Sequence, residues 1–246
     1  MIKRTTAFLW TTMSLLMATP KVQSFLQVAP SCHHGGLQNH LRRSECRLSL
    51  TKGEYELPRV IVFDLDGCLW SPEMYEINYF MGGRGAPFSL DPTDSLNLLT
   101  AGGEPVKLLG DVRAVMRDLY THREFENVTI GISSRTDEPR WARELLQKFK
   151  IAINANEYVS LNEIFNGPIE IAKDSKVAHF SRIVEQCNVD MEDVLFFDNE
   201  YGNCQSVAKL GVSVVYCPDG VTQQTFDMGV RDFPRKDGTV IGSRRG

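Results

Sequence analysis

Two aspartates one residue apart, Asp64 and Asp66, stand at the end of an apolar run, Val60-Ile-Val-Phe63, and Gly67 follows them. Residues two apart on an extended strand project to the same side, and a glycine lets the chain turn away sharply. Carboxylates at the tip of a hydrophobic strand are costly unless something uses their charge. A hard divalent cation with a phosphate would use both, because Mg2+ takes oxygen ligands and is commonly held by one or two carboxylates plus substrate phosphate. Two more apolar runs end in oxygen-rich residues: Val128–Ser133 leads into Ser134-Arg135-Thr136, and Val194–Phe197 leads into Asp198. These pieces suit phosphoryl transfer. Asp64 can attack phosphorus as a carboxylate nucleophile. Asp66 can give a proton to the leaving oxygen and then take one from water, provided its pKa is lifted from about 4 toward the working pH. Ser134, or Ser133 beside it, can donate to a phosphate oxygen near the amino end of a helix that starts about Pro139. Lys176 falls in the first turn of a helix, where a cation opposes the helix dipole, so it is expected to reach an anion. Asp198 is expected to join Asp64 and Asp66 around the metal. A lone serine after a strand is commonly only a cap, so the weight lies in the set and its order.

The elements that must position these residues alternate between strand and helix. Asp111–His122 reads as a helix with Val112, Val115, Met116 and Leu119 on one face. A helix from Pro139 to about Lys150 would take Thr136 or Asp137 as its cap. Asp174–Cys187 is expected to bury Val177, Phe180, Ile183 and Val184. A helix follows Asp198 and runs to Leu210, with Gly211 as its stop, and Val212–Tyr216 is a further strand. Strands separated by helices imply parallel pairing and right-handed crossovers. The expected fold class is therefore α/β, a three-layer Rossmann-like sandwich around a parallel sheet, with ligands beyond the carboxyl ends of the strands. The stretch Ser71–Lys107 reads as a long Gly- and Pro-containing loop over the site. Its Tyr75, Tyr79, Phe80, Arg84 and Phe88 would either line the mouth or pack the loop onto the core. Residues 231–246 read as a flexible polar tail.

In this order the pieces resemble the four motifs of the haloacid dehalogenase (HAD) phosphatase superfamily: a DxDx(T/V) strand end, a Ser/Thr strand end, a helical Lys and an acidic strand end. From Pro58 to Met228 the likeness extends to Leu69-Trp-Ser-Pro72, Ser134-Arg-Thr136, Ser175-Lys-Val-Ala-His-Phe180, Leu195-Phe-Phe-Asp-Asn199 and Lys209-Leu-Gly-Val212. These are similar to the minimally capped, magnesium-dependent phosphatase type. The resemblance implies a HAD-like fold with a minimal cap, Mg2+ as cofactor and an aspartyl-phosphate intermediate. It also implies phosphate contacts from Ser134 and Arg135, and phosphotyrosine or sugar-phosphate type monoesters as substrates. Two positions depart from the pattern. Cys68 stands where Thr or Val is usual, and Asn199 where a second Asp is frequent. The alternative reading is a phosphate-binding or regulatory module of this fold without significant turnover.

Composition bounds the rest. With 246 residues, 42% hydrophobic and 24% charged, the chain has room for one sizeable core in residues 58–230. A net charge of -4 offers no basic stripe for nucleic acid. The six cysteines, at 32, 46, 68, 187, 204 and 217, include no CxxC pair, which argues against zinc and against a disulfide framework. Residues 1–57 read as a removable targeting presequence. Lys3-Arg4 precede an apolar stretch from Ala7 to Ala18, then Ser24-Phe25, then a segment rich in Arg, Ser and His and poor in acids. Signal, phenylalanine and transit-like segment in that order resemble the bipartite presequences of complex plastids; a plain secretory signal is the alternative. The mature form is expected to have no membrane contact and to act on a small phosphomonoester or a phosphotyrosine.

Overall fold

A computed structural model describes residues 56–242. The expected presequence lies almost wholly outside the described residues. The chain opens with β1 (Val60–Phe63), β2 (Trp70–Ser71), α1 (Met74–Tyr79), β3 (Ser89–Leu90), β4 (Leu98–Leu99) and β5 (Pro105–Leu108). It continues through α2 (Val112–Thr121), β6 (Thr129–Ser134), α3 (Pro139–Lys148), β7 (Lys150–Ala152), β8 (Tyr158–Ser160), α4 (Leu161–Ile164) and β9 (Ile169–Ile171). Then come α5 (Lys176–Cys187), β10 (Val194–Asp198), α6 (Tyr201–Ala208), β11 (Ser213–Tyr216), α7 (Gln223–Arg231) and β12 (Val240–Ile241).

Six strands form one parallel sheet in the order β12-β11-β10-β1-β6-β9. β1 lies at its centre, and all four of its residues are buried, as a parallel strand covered on both faces requires. Alternation divides them. Val60 and Val62 pack with Phe180 and Ile183 of α5 and Val207 of α6. Ile61 and Phe63 pack with Val112, Val115 and Met116 of α2, Leu145 of α3, Ile164 of α4 and Phe226 of α7. That is a three-layer α/β sandwich, as the alternating pattern implies. Each fully buried side chain of this size contributes about 1.5–3 kcal/mol, so the sheet is a stiff base for whatever its ends carry.

Several local expectations change. The stretch after β2 is not an irregular loop: it holds α1 and an antiparallel sheet in the order β2-β5-β4-β3. Its strands are only two to four residues long and poor in alternation, so periodicity hides them. This insert is fastened to α3. Phe88 is buried, its N–H donates to Glu144 (2.9 Å), and its carbonyl accepts from Lys148. Asn78 donates to Glu138 at 2.8 Å. Phe88 therefore packs the insert down, while Tyr75, Tyr79, Phe80 and Arg84 stay exposed. The residue before α3 is Glu138, not Thr136 or Asp137; Thr136 Oγ1 instead accepts from the Glu138 N–H. On α5 the buried stripe is Lys176, His179, Phe180 and Ile183, with Val177 40% exposed. The buried residues fall at i, i+3, i+4 and i+7; Val177 lies off that stripe, and the lysine takes the inner face. The stretch expected to fray from Arg231 carries β12 up to Ile241, paired in parallel with β11, and Phe233 is buried. Among the described residues no helix is long and apolar enough to cross a membrane.

Candidate active site

The strand ends converge as the topology requires. Asp64 follows β1 directly and is tied to the neighbouring strand through its N–H, which donates to the Phe197 carbonyl at 2.9 Å. Asp198 closes β10 and is fully buried. Between them lies the ammonium of Lys176, 2.7 Å from Asp64 Oδ1 and 3.1 Å from Asp198 Oδ2. Lys176 also donates to the Ser133 carbonyl and lies 5.2 Å from the centre of the Phe196 ring. The lysine at the unfavourable end of α5 does have its anions. Burial pulls its pKa down, but the two carboxylates outweigh burial and leave it above the usual lysine value. Asp198 moves the other way: burial first, then Asp64, push its pKa up to about 7, against the pull of Lys176. Two carboxylates beside one ammonium leave an excess of negative charge in a buried place.

Asp66 lies apart from this cluster. Its Oδ1 accepts from Trp70 Nε1 at 2.8 Å and its Oδ2 from the Met74 N–H at 3.0 Å. The side chain is thus turned toward the insert, so the metal contact expected of residue 66 falls to its backbone carbonyl, with Asp64 and Asp198 as the carboxylates. The turn through Leu65–Trp70 explains the divergence. Gly67 has φ +69°, and a Cβ there would come within 2.2 Å of the Asn199 side chain, so the chain leaves the strand before residue 66 can follow residue 64. Burial is the main cause that lifts the Asp66 pKa to about 7; Asp64 adds to it, while the Met74 and Trp70 donors hold it back. A carboxyl so placed is half-protonated near neutrality, as proton transfer in both directions needs.

The two serines separate as well. Ser133 Oγ lies 3.1 Å from His179 Nδ1 and both residues are fully buried, so the Ser133 hydroxyl is paired with His179. Alternation along β6 turns it to the α5 side. Ser134 Oγ, also buried, has no hydrogen-bond partner among the described residues. Arg135 is exposed at the rim. Beyond Ser134 opens a cleft of about 440 Å³ lined by Thr136, Asp137, Pro139, Ile171, Ala172 and Lys173. Lys173 and Asp137 meet across it at 2.8 Å.

Comparison with known proteins settles the family. The Acid Phosphatase family matches residues 56–236, which spans the whole sheet but for its last strand. The chain belongs to this acid phosphatase family. Curated relatives agree. It is 28% identical over 179 residues to human Magnesium-dependent phosphatase 1, covering 73% of this chain and 89% of that protein. It is also 28% identical over 158 residues to a HAD-like hydrolase superfamily protein of Schizosaccharomyces pombe, covering 64% of this chain and 84% of that one. A solved HAD-like hydrolase from Xanthomonas campestris is 14% identical over 68% of this chain and 85% of that one, with a TM-score of 0.43. This acid phosphatase relative is a HAD-type phosphatase, as the order of its motifs implies.

The residues present fit a hard divalent cation. Among the described residues no three His, Cys, Asp or Glu side chains gather into a metal-binding set. Mg2+ does not require one, since it is usually held by one or two carboxylates with water and substrate phosphate completing its shell. Asp64 and Asp198 are the two carboxylates that the structure brings together around Lys176 and that could serve in this way. Asn199 adds a buried Oδ1 that lacks a hydrogen-bond partner among the described residues, next in the chain to Asp198. Its Nδ2 end faces Gly67. Asp198 is held in place by the Glu200 N–H at 2.7 Å and Asn203 Nδ2 at 3.3 Å. Sequence reasoning overlooked Trp70, Met74 and His179, which contact the site residues rather than line the site. The spacing of His179 three residues after Lys176 was the available signal, because it puts both on one face of α5.

Proposed function

We propose that this phosphatase hydrolyses phosphomonoesters of the phosphotyrosine or sugar-phosphate type with Mg2+, through an aspartyl-phosphate on Asp64. The observation that carries the reading is the division of labour between two carboxyl groups one residue apart. Asp64 is locked against Lys176 in the buried cluster, and Asp66 is held outside it with its pKa near 7. The name of the human relative supports the metal. Mg2+ bound by Asp64 and Asp198 would offset the negative charge so that an anionic phosphate can approach an anionic nucleophile. Lys176 holds Asp64 in one rotamer and adds a second positive charge. Ser134 Oγ–H donates to a phosphate oxygen. Asp64 forms its bond to phosphorus as the bond from phosphorus to the ester oxygen breaks, and Asp66 delivers its proton to that oxygen. Asp66, now ionised, takes a proton from the water that attacks phosphorus, which frees Asp64 and releases phosphate. The cleft beside Ser134 and the exposed rings of Tyr75, Tyr79 and Phe80 support a phenyl- or sugar-sized leaving group.

The test is turnover of an aryl phosphate with and without Mg2+, for the wild type and Asp64→Asn. Asp64→Asn should abolish turnover and the acid-stable phosphate adduct detected on the peptide holding residue 64 after rapid quenching. Near-normal turnover by Asp64→Asn would refute the intermediate. Tight phosphate binding with no turnover in the wild type would favour the binding-module alternative. We further propose that residues 1–57 address the chain to a plastid, on the order of basic start, apolar stretch, Ser24-Phe25 and acid-poor segment. A fluorescent fusion to residues 1–60 should enter the plastid, and Phe25→Ser should strand it in the secretory route. A fusion that stays in the cytosol would refute this.

A further inference from the structure

The acid carboxyl is held by the insert. Asp66 sits beyond the end of β1, and the two donors on its oxygens, Trp70 Nε1 and the Met74 N–H, belong to the first strand and first helix of the inserted segment. Trp70 is well placed to fix it. It is fully buried, is paired in register with Leu108 of β5, and stacks on Phe149 at 6.3 Å with 24° between the rings. Its carbonyl accepts from the Gly67 N–H at 2.9 Å, which closes the turn that carries Asp66. With one donor on each oxygen, the carboxyl group cannot rotate freely about either side-chain torsion. Each oxygen keeps a second lone pair, and the transferable proton can sit there without displacing a tether.

We propose that Trp70 is a positioning residue: through its indole N–H, together with the Met74 N–H, it aims the Asp66 carboxyl at the leaving-group oxygen. This rests on the reading of Asp66 as the acid. The plainer account is that a buried indole N–H needs an acceptor and Asp66 happens to supply one. The two accounts part on substrate dependence. A misaimed acid hurts in proportion to how much the leaving oxygen needs a proton, whereas damaged packing hurts all substrates alike.

The experiment uses the full-length protein with Mg2+ and a series of substituted phenyl phosphates whose phenols range from strongly to weakly acidic. The quantity read is kcat/KM, which covers steps only as far as departure of the phenol, so the later water-activating role of Asp66 does not enter. Trp70→Phe keeps a ring in the core and removes the donor. Replacement of Trp70 by benzothienylalanine keeps the bicyclic shape as well, and decides the matter if Trp70→Phe folds poorly. Both should lose about 10-fold on the least acidic phenol and far less on nitrophenyl phosphate, a fraction of the about 10^2–10^4 that a general acid contributes. Asp66→Asn, run beside them, should give the steepest dependence on the leaving group. If Asp66→Asn steepens that dependence and neither Trp70 replacement does, whether through uniform loss or none, Trp70 only packs and the proposal is overturned. If Asp66→Asn itself shows no such dependence, the acid assignment is wrong and the proposal falls with it.

Discussion

Lys176→Met puts the charge balance of the buried cluster to a direct test. Methionine matches the lysine stem in length and leaves out the ammonium, so the packing of α5 against β6 is largely kept. Unit charges at 2.7 and 3.1 Å attract by about 5–6 kcal/mol apiece at an effective dielectric of about 20. Desolvation offsets much of that attraction, so the measurable loss on removing one member of a buried ionic group is about 3–5 kcal/mol. The loss should depend on pH in a definite direction. Burial and Asp64 already lift the Asp198 pKa to about 7, and without Lys176 it must rise further. A group whose folded pKa lies above its unfolded value stabilises the fold at low pH and loses that stabilisation as pH rises. In the variant, the folded state therefore holds an additional proton across neutrality, and its stability relative to wild type should fall by about 1.4 kcal/mol per pH unit there.

The assay is equilibrium unfolding in urea between pH 5.5 and pH 8, first with a chelator and then with excess Mg2+. The destabilisation should approach the upper end of the range at pH 8 and shrink toward pH 5.5, where a proton substitutes for the missing ammonium. Mg2+ should recover part of the loss at pH 8, because a cation that binds only the folded state stabilises it. Turnover should drop by about 10^2-fold or more, as when one preorganised charge-stabilising donor is removed. A destabilisation below about 1 kcal/mol, or one that is the same at both ends of the pH range, would refute the picture of a buried anion pair held by Lys176.

With Asp66 lifted to about 7 and acting as an acid in the first step, kcat/KM should decline as pH rises through about 7, and the decline should vanish in Asp66→Asn; an unchanged basic limb in that variant would count against it. Burial, then Lys176, hold the His179 pKa below its usual 6.5. The unfolded chain therefore takes up a proton first as pH falls, and stability should be lost on acidification below about 6.5. His179→Phe should flatten that acid limb in thermal melts, and an identical limb would refute the assignment. Chelation by EDTA should silence the enzyme and Mg2+ should restore it, while Ca2+, with longer and more variable coordination, should support poor turnover; activity indifferent to EDTA would remove Asp198 from the metal site.

Three of the site positions were legible for one physical reason: each is a carboxylate or hydroxyl at the end of a largely buried strand, where burial and polarity conflict. Asp64, Ser134 and Asp198 all have that signature. Lys176 was legible from its conflict with the helix dipole. Less legible were the features that depend on the direction of a side chain rather than its place in the chain. Alternation predicts that residues 64 and 66 point together, and that holds only while the strand continues; the turn at Gly67 ends it. Ser133 and Ser134 are adjacent and chemically equal, and only the register of β6 sends one hydroxyl to His179 and leaves the other without a partner among the described residues. The insert escaped because two-residue strands carry no periodicity, and β12 because it follows a polar run of arginine, lysine and aspartate.

The proposed chemistry is thus split between two supports. The proposed nucleophile Asp64 and the second carboxylate Asp198 stand at the ends of central strands with both faces buried, and Lys176 reaches them from the first turn of α5. The acid stands on the turn between that sheet and the insert, and the insert holds it by two N–H donors. The insert is in turn fastened to α3 through Glu138, Glu144 and Lys148. A substitution on α3 far from phosphorus can therefore reach the acid through β2 and Trp70 without touching Asp64 or Lys176. Such a change would alter proton delivery while leaving the buried ionic cluster in place. Sequence distance from the four motifs is consequently a poor guide to which positions matter for turnover here.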